Sequence, residues 1–264
     1  MTKLILHFDI NGTITPVDTT EPGNNIENAN MVISKSVYGK IVNSEWVLND
    51  NYYDEKDSMS YYNYLRLTDK NYKQKSYTIT NKGEPGDQLV HLIPILLKSM
   101  ETFLFSSFLN VLDVFPDARI IFRTFGLDAD EVIEYLKQKH PDSFKTIIKG
   151  DFRYEDDNVL LTLDNGVLLK GMDNINEYFY KTHDNNHLAL KESYDYWNKN
   201  KRNKLNGKQL LGNIGMTQIF FDDNDCVNVI DPINSHFIKI NTLCALLDDQ
   251  YYVNLVNDVF VLKS

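Results

Sequence analysis

The sequence predicts an α/β fold, a parallel sheet covered by helices on both faces, and three observations carry that reading. Short apolar runs recur along the chain, and several are followed by stretches with helical periodicity. Strands alternating with helices build a parallel sheet, because each helix returns the chain to begin the next strand in the same direction. Three of the runs end in polar residues, at Asp9, at Thr124 and at Asp222-Asp223. Open sheets of this class bind ligands beyond the carboxyl ends of their strands.

Taken in order, Lys3 to Asp9 is a short apolar run closed by Asn11-Gly12, the pattern of a buried strand. From about Thr15 to Gln88 the composition turns to Asn, Tyr, Asp, Lys and Ser, with Pro16, Pro22 and Pro85. Only Val42 to Val47 and Tyr61 to Leu67 look apolar enough to pack. Residues 15–114 are therefore read as a loop-rich insertion, which leaves 1–14 and 115–264 as the core. Leu89 to Val114 predicts one or two buried helices, interrupted near Pro94.

Ala118 to Thr124 is the second strand. Asp128 to Lys139 is a helix, with Asp128 and Glu131 at capping-box spacing and Val132, Ile133 and Leu136 on one face. Lys145 to Ile148 and Val159 to Leu163 read as strands, and Asn165-Gly166 as a turn. Ala189 to Trp197 reads as helix, as does the short piece Gln209 to Leu211 before the strand ending at Asp222-Asp223. Val227 to Ile230 is a further strand, ended by Asp231-Pro232, and Asn241 to Val261 is mostly helical.

Composition narrows the partners. The chain has 264 residues, 42% hydrophobic, enough for one domain with an insertion or two modest domains. Its net charge of -10 argues against nucleic acid, whose phosphates need clustered Lys and Arg. A small phosphorylated substrate or a phosphoprotein remains compatible, since one positively lined cleft suffices. Two cysteines, Cys226 and Cys244, without a Cys-x-x-Cys spacing, argue against a disulfide framework and read as small hydrophobes. The opening apolar run is too short for a signal peptide or a membrane span, so a cytoplasmic, soluble protein is expected.

The three strand ends suit phosphoryl transfer. Asp9 can attack phosphorus and carry a covalent aspartyl-phosphate. Mg²⁺ prefers oxygen ligands, which Asp9, Asp222 and Asp223 supply, with a backbone carbonyl near Asn11 as a further one. Thr124 offers a hydroxyl to the phosphate, and the helix beginning near Asp128 offers N–H groups. A lysine would balance charge on the transferring group. His183, Asp184 and His187 invite a second metal, but the intervening Asn185-Asn186 marks them as a surface loop.

These residues resemble the motifs of the haloacid dehalogenase-like superfamily. Phe8-Asp9-Ile10-Asn11-Gly12-Thr13 is similar to its first motif, Arg123-Thr124-Phe125-Gly126 to its second, and Phe220-Phe221-Asp222-Asp223-Asn224 to its fourth, in the same order. The resemblance implies a Rossmann-like three-layer αβα core, a Mg²⁺-dependent phosphatase with Asp9 as nucleophile, and a substrate-selecting cap within 15–114. It also implies a lysine ahead of the fourth motif. Lys208 is the first choice for that lysine, with Lys201 and Lys199 as alternatives.

One departure limits the reading. The superfamily's phosphatases carry an aspartate two residues after the nucleophile, to protonate the leaving group and activate water, and here that residue is Asn11. An amide does not exchange protons near neutral pH. The chain is thus expected to be a slow phosphatase, or one restricted to good leaving groups, or a catalytically weak protein that binds a phosphorylated ligand. His7 is read as facing away from Asp9 and so unable to stand in.

Overall fold

The apolar run that opens the chain folds as the strand Leu4–Phe8, which lies between Arg119–Thr124 on one side and Thr217–Asp222 on the other, parallel to both. These are elements of a computed structural model that describes residues 4–16, 23–155, 158–181, 186–210, 216–230 and 233–261. The protein is mixed α/β with a mostly parallel central sheet. From one edge to the other the strands are Ser235–Lys239, Thr217–Asp222, Leu4–Phe8, Arg119–Thr124, His187–Lys191, Ile147–Glu155, Asn158–Leu163 and Leu168–Lys170. The first six run parallel, and the last two fold back as antiparallel hairpins.

Burial explains which strands lie in the middle. Thr217–Asp222 is buried at every position and Arg119–Thr124 at all but its first, as expected of strands covered on both sides. Ile147–Glu155, nearer the edge, is only patchily buried. Ile5, Ile121, Phe152, Leu161, Leu188 and Leu190 form one apolar cluster across the sheet. Fully burying side chains of this kind contributes about 1.5–3 kcal/mol each.

Several elements differ from the sequence reading. Ala189 to Trp197 is not one helix: His187–Lys191 is a strand inside the sheet, and the helix starts only at Tyr194, capped by Ser193 Oγ, which accepts from the Tyr196 N–H. The expected helix Gln209 to Leu211 is instead part of the strand Lys208–Leu210, paired in parallel with Val227–Val229. The expected break near Pro94 falls where the 3-10 segment Asp87–Leu92 gives way to the helix Ile93–Ser99, with Pro94 in its first turn, where its missing N–H costs nothing. Met172–Lys181 and Ser235–Lys239 were not foreseen. Leu211, His183, Asp184 and Asp231-Pro232 lie outside the described residues.

The chain divides into two compact units, one of Met1–Ile14, Asn110–Ile240 and Val253–Ser264, the other of Thr15–Leu109 and Asn241–Tyr252. The sheet belongs to the first. The second is better ordered than its composition implies. Its helix Asn25–Ser36 opens with a full capping box, in which Asn24 Oδ1 accepts from the Glu27 N–H and Glu27 Oε2 accepts from the Asn24 N–H. Val42 to Val47 is a hairpin that packs through Trp46, which is buried: Asn43 and Ser44, at φ 50° and 70°, form the two-residue turn, while Val42 and Val47 are exposed. The tyrosines pack on other rings, Tyr61 against Trp46 and Tyr52 against Tyr53. No helix among the described residues is long and apolar enough to cross a membrane.

Candidate functional site

Strand register brings the acidic residues together. Phe8 pairs with Phe221 and with Phe122, so the next residue of each strand, Asp9, Asp222 and Arg123, reaches the carboxyl end of the sheet side by side. The Asp9 N–H donates to the Phe221 carbonyl at 3.0 Å, carrying the ladder to the last residue before the loop. Carboxylate oxygens of Asp9, Asp222 and Asp223 all lie within 4.8 Å of one another.

Lys208 meets this cluster. It begins the strand Lys208–Leu210, whose first N–H donates to the Cys226 carbonyl just past the acidic loop. Its Nζ donates to Asp9 Oδ1 at 2.5 Å and to Asp222 Oδ2 at 2.8 Å, and its side chain is almost wholly buried. Gly207 makes this approach feasible, because a Cβ there would collide with the Cys226 carbonyl. The alternatives, Lys199 and Lys201, are exposed.

The acidic loop is held by its own polar groups. The Asn224 N–H donates to Asp222 Oδ1, the Asp223 N–H to Thr13 Oγ1, and the Cys226 thiol to Asp222 Oδ2. Cys226 therefore does more than fill space, and its Asp-x₃-Cys spacing gave no signal for that. Burial pushes the Cys226 thiol far above its ordinary range, so it stays protonated and donates.

The electrostatics are lopsided. Among the described residues, three carboxylates gather beside the Lys208 ammonium. Burial pushes the Asp9 carboxyl well above its ordinary value, with Lys208 pulling it down and Asp222 and Asp223 pushing it further up. Burial opposes the charge on Lys208, but Asp222 and Asp9 outweigh it and hold the ammonium firmly protonated. The donor set, hard oxygens in negative excess, suits a divalent cation such as Mg²⁺.

Thr124 ends the neighbouring strand, 2% exposed, and its Oγ1 accepts from the Gly126 N–H at 2.9 Å. Asn11 turns its amide to Asp128, with Nδ2 donating to Oδ2 at 2.8 Å. Asp128 makes no side-chain cap bond to its own helix, so the expected capping box with Glu131 does not form. His7 stands on the same face as Asp9, since residues two apart along a strand share a face, and the reading that turned it away is corrected. It is fully buried, bonded to Gln218 at 3.1 Å and stacked on Phe220, and burial and then Arg123 hold its imidazole well below its ordinary value. His187, the candidate for a second metal, is committed elsewhere. Its Nδ1 accepts from the Ile120 N–H, and its ring stacks on Phe144.

Beneath the site lies an ion pair that the sequence did not reveal. Arg123 and Glu192, each under 5% exposed, are directly paired. Arg123 Nη2 also donates to the Gln209 carbonyl at 3.0 Å, and the guanidinium lies over Phe152 and Phe220. Comparison with known protein families, with curated proteins and with solved structures finds no match to this chain.

Proposed function

We propose that the chain is a magnesium-dependent phosphoryl-transfer hydrolase of the haloacid dehalogenase-like type, with a Rossmann-like three-layer core. One observation carries the reading: a buried lysine bridges two carboxylates at the ends of adjacent parallel strands, with a third carboxylate beside them. Such a cluster is costly to bury for stability alone, because its charge does not cancel.

Asp9 is the nucleophile. Its carboxylate oxygen forms a bond to phosphorus as the bond to the leaving oxygen breaks, and water later cleaves the resulting acyl phosphate. Lys208 stands against the Asp9 oxygen and offsets negative charge as the anionic phosphoryl group approaches. Thr124 provides a hydroxyl to the phosphoryl oxygens. Asp9, Asp222 and Asp223 would hold Mg²⁺, which when bound neutralises charge on the phosphoryl oxygens. The substrate class is a phosphoric monoester or an acyl phosphate.

The test is release of phosphate from an aryl phosphate and from acetyl phosphate, in wild type and Asp9→Ala, each with Mg²⁺ and with EDTA. Metal-dependent turnover lost in Asp9→Ala is expected; undiminished turnover in that variant overturns the mechanism. Asn11 favours a second reading, a catalytically weak protein that binds a phosphorylated ligand. Mg²⁺ binding without turnover of any phosphate ester would select it.

A further inference from the structure

We propose that Asp128 carries the proton transfers that Asn11 cannot, acting as general acid and then general base in the phosphoryl transfer proposed above, on which this inference rests. Three observations place it there. Asp128 is 117 residues away along the chain, yet its Oδ2 accepts from Asn11 Nδ2 at 2.8 Å. It is 7% exposed, so the residue is largely withdrawn from solvent. And although it occupies the N-cap position of Ala129–Lys139, it makes no side-chain cap bond. Asp is among the residues preferred at an N-cap because its oxygen can satisfy a free N–H of the first turn. This carboxyl forgoes that bond and points at the residue two after the nucleophile.

Gly126 shows what gathers there. A Cβ built on it would fall 2.5 Å from Asp128 Oδ2, 3.4 Å from Thr124 Oγ1 and 3.5 Å from Asn11 Nδ2. The first-motif amide, the strand-end hydroxyl and the Asp128 carboxyl thus surround one small space, kept open by the missing side chain. The Asn11 amide holds the carboxyl in place without competing for its proton, since an amide neither gains nor loses one near neutral pH.

The proton balance is simple. In the first half-reaction an Asp9 oxygen bonds to phosphorus, the ester P–O bond breaks, and the leaving oxygen takes the proton of Asp128 and departs as an alcohol. In the second, a water oxygen bonds to phosphorus and Asp128 takes a proton from that water. The P–O bond to Asp9 breaks, which returns the Asp9 carboxylate and releases inorganic phosphate. One water is consumed and both residues regain their starting states. The competing account is that nothing replaces the acid and only acidic leaving groups react.

The experiment measures kcat/KM with Mg²⁺ for 4-nitrophenyl phosphate, phenyl phosphate and an alkyl phosphate. This parameter reports the steps up to formation of the aspartyl-phosphate. Asp128→Asn is expected to lose about 10²–10⁴-fold on phenyl and alkyl phosphate, the usual value of general acid help, and less than about tenfold on 4-nitrophenyl phosphate. Its affinity for Mg²⁺, read by calorimetry, stays at the wild-type value. The double exchange of Asn11→Asp with Asp128→Asn keeps the hydrogen bond with donor and acceptor reversed, and it recovers turnover of phenyl phosphate. An equal loss across the three esters in Asp128→Asn, or a double variant as slow as the single one, overturns the assignment while leaving the phosphatase reading intact. A wild type with no Asp9-dependent turnover of any ester overturns both.

Discussion

Two buried charge clusters lie close together in the first unit, and they differ in how their charges add. Arg123 and Glu192 cancel, one cation against one anion, with Arg123 further bonded to the Gln209 carbonyl. Asp9 and Asp222 share Lys208, with Asp223 as a third carboxylate beside them. A balanced pair is a self-contained fixture whose worth is measured by what happens when one partner goes. An unbalanced cluster is complete only with something from outside, which on the proposed function is a cation and an anionic substrate. Burial is similar in both, so burial alone does not mark a site; the uncancelled charge does.

The comparison can be broken at either end, and the largest effect is expected at the unbalanced one. Asp9→Ala should abolish turnover while the protein stays folded, as followed by phosphate release alongside circular dichroism. Glu192→Ala should do the reverse. It leaves Arg123 buried and unpaired and should cost about 3–5 kcal/mol in a denaturation curve, whereas replacing both partners with apolar residues should cost far less. If Glu192→Ala proves neutral, the pair is not the fixture described.

A pH titration of stability sharpens the contrast by adding a group buried in its neutral form. Burial lowers the His187 imidazole from its ordinary 6.5 to about 4, with a hydrogen bond to the Ser143 backbone raising it in part and the charge of Arg119 adding a smaller lowering. Protonation would also replace the lone pair that accepts from Ile120 with a competing N–H. The unfolded chain therefore binds the proton first. Stability from this residue is complete above pH 6.5 and falls as pH drops toward about 4, by up to about 3 kcal/mol. His187→Gln should flatten that part of the curve; an unchanged slope would show that His187 is not its source. The smallest effect is expected from metal. Mg²⁺ at one hundred times its Kd should raise the unfolding free energy by about 2.7 kcal/mol, and the gain should shrink in Asp223→Asn.

What the sequence made legible follows from the same physics. Asp9, Asp222 and Asp223 stand out in combination, because each follows a mostly apolar strand, although either motif alone has an ordinary explanation as a turn or a solvated loop. Lys208 was harder to read, since four lysines fall within ten residues and the strand that presents it is too short to announce itself. The contact between Asn11 and Asp128 was hidden because Asp128 at the head of a helix already has an ordinary explanation as a cap. Arg123 and Glu192 gave no signal at all, because a charge inside a buried strand is visible only once its partner's strand is known to be adjacent. His187–Lys191 was merged into the helix after it, since a four-residue buried run has no period of its own. In the second unit, the capping box of Asn24 and Glu27 was present in the sequence but masked by the polar composition around it.

The strand Leu4–Phe8 has both its sheet neighbours far downstream, the nearer beginning at residue 119 and the farther at 217. On a ribosome adding about 5–20 residues per second, the 199 residues between Asp9 and Lys208 take about 10–40 seconds to appear. Until the strand at residue 119 emerges, Leu4–Phe8 has no sheet neighbour, and until residue 208 Asp9 lacks the lysine that meets it. Non-local pairing of this kind folds slowly and leaves edges open to aggregation. Expression of this protein should accordingly respond to slower translation and to chaperones, and a fragment ending before residue 223 lacks part of the proposed metal site.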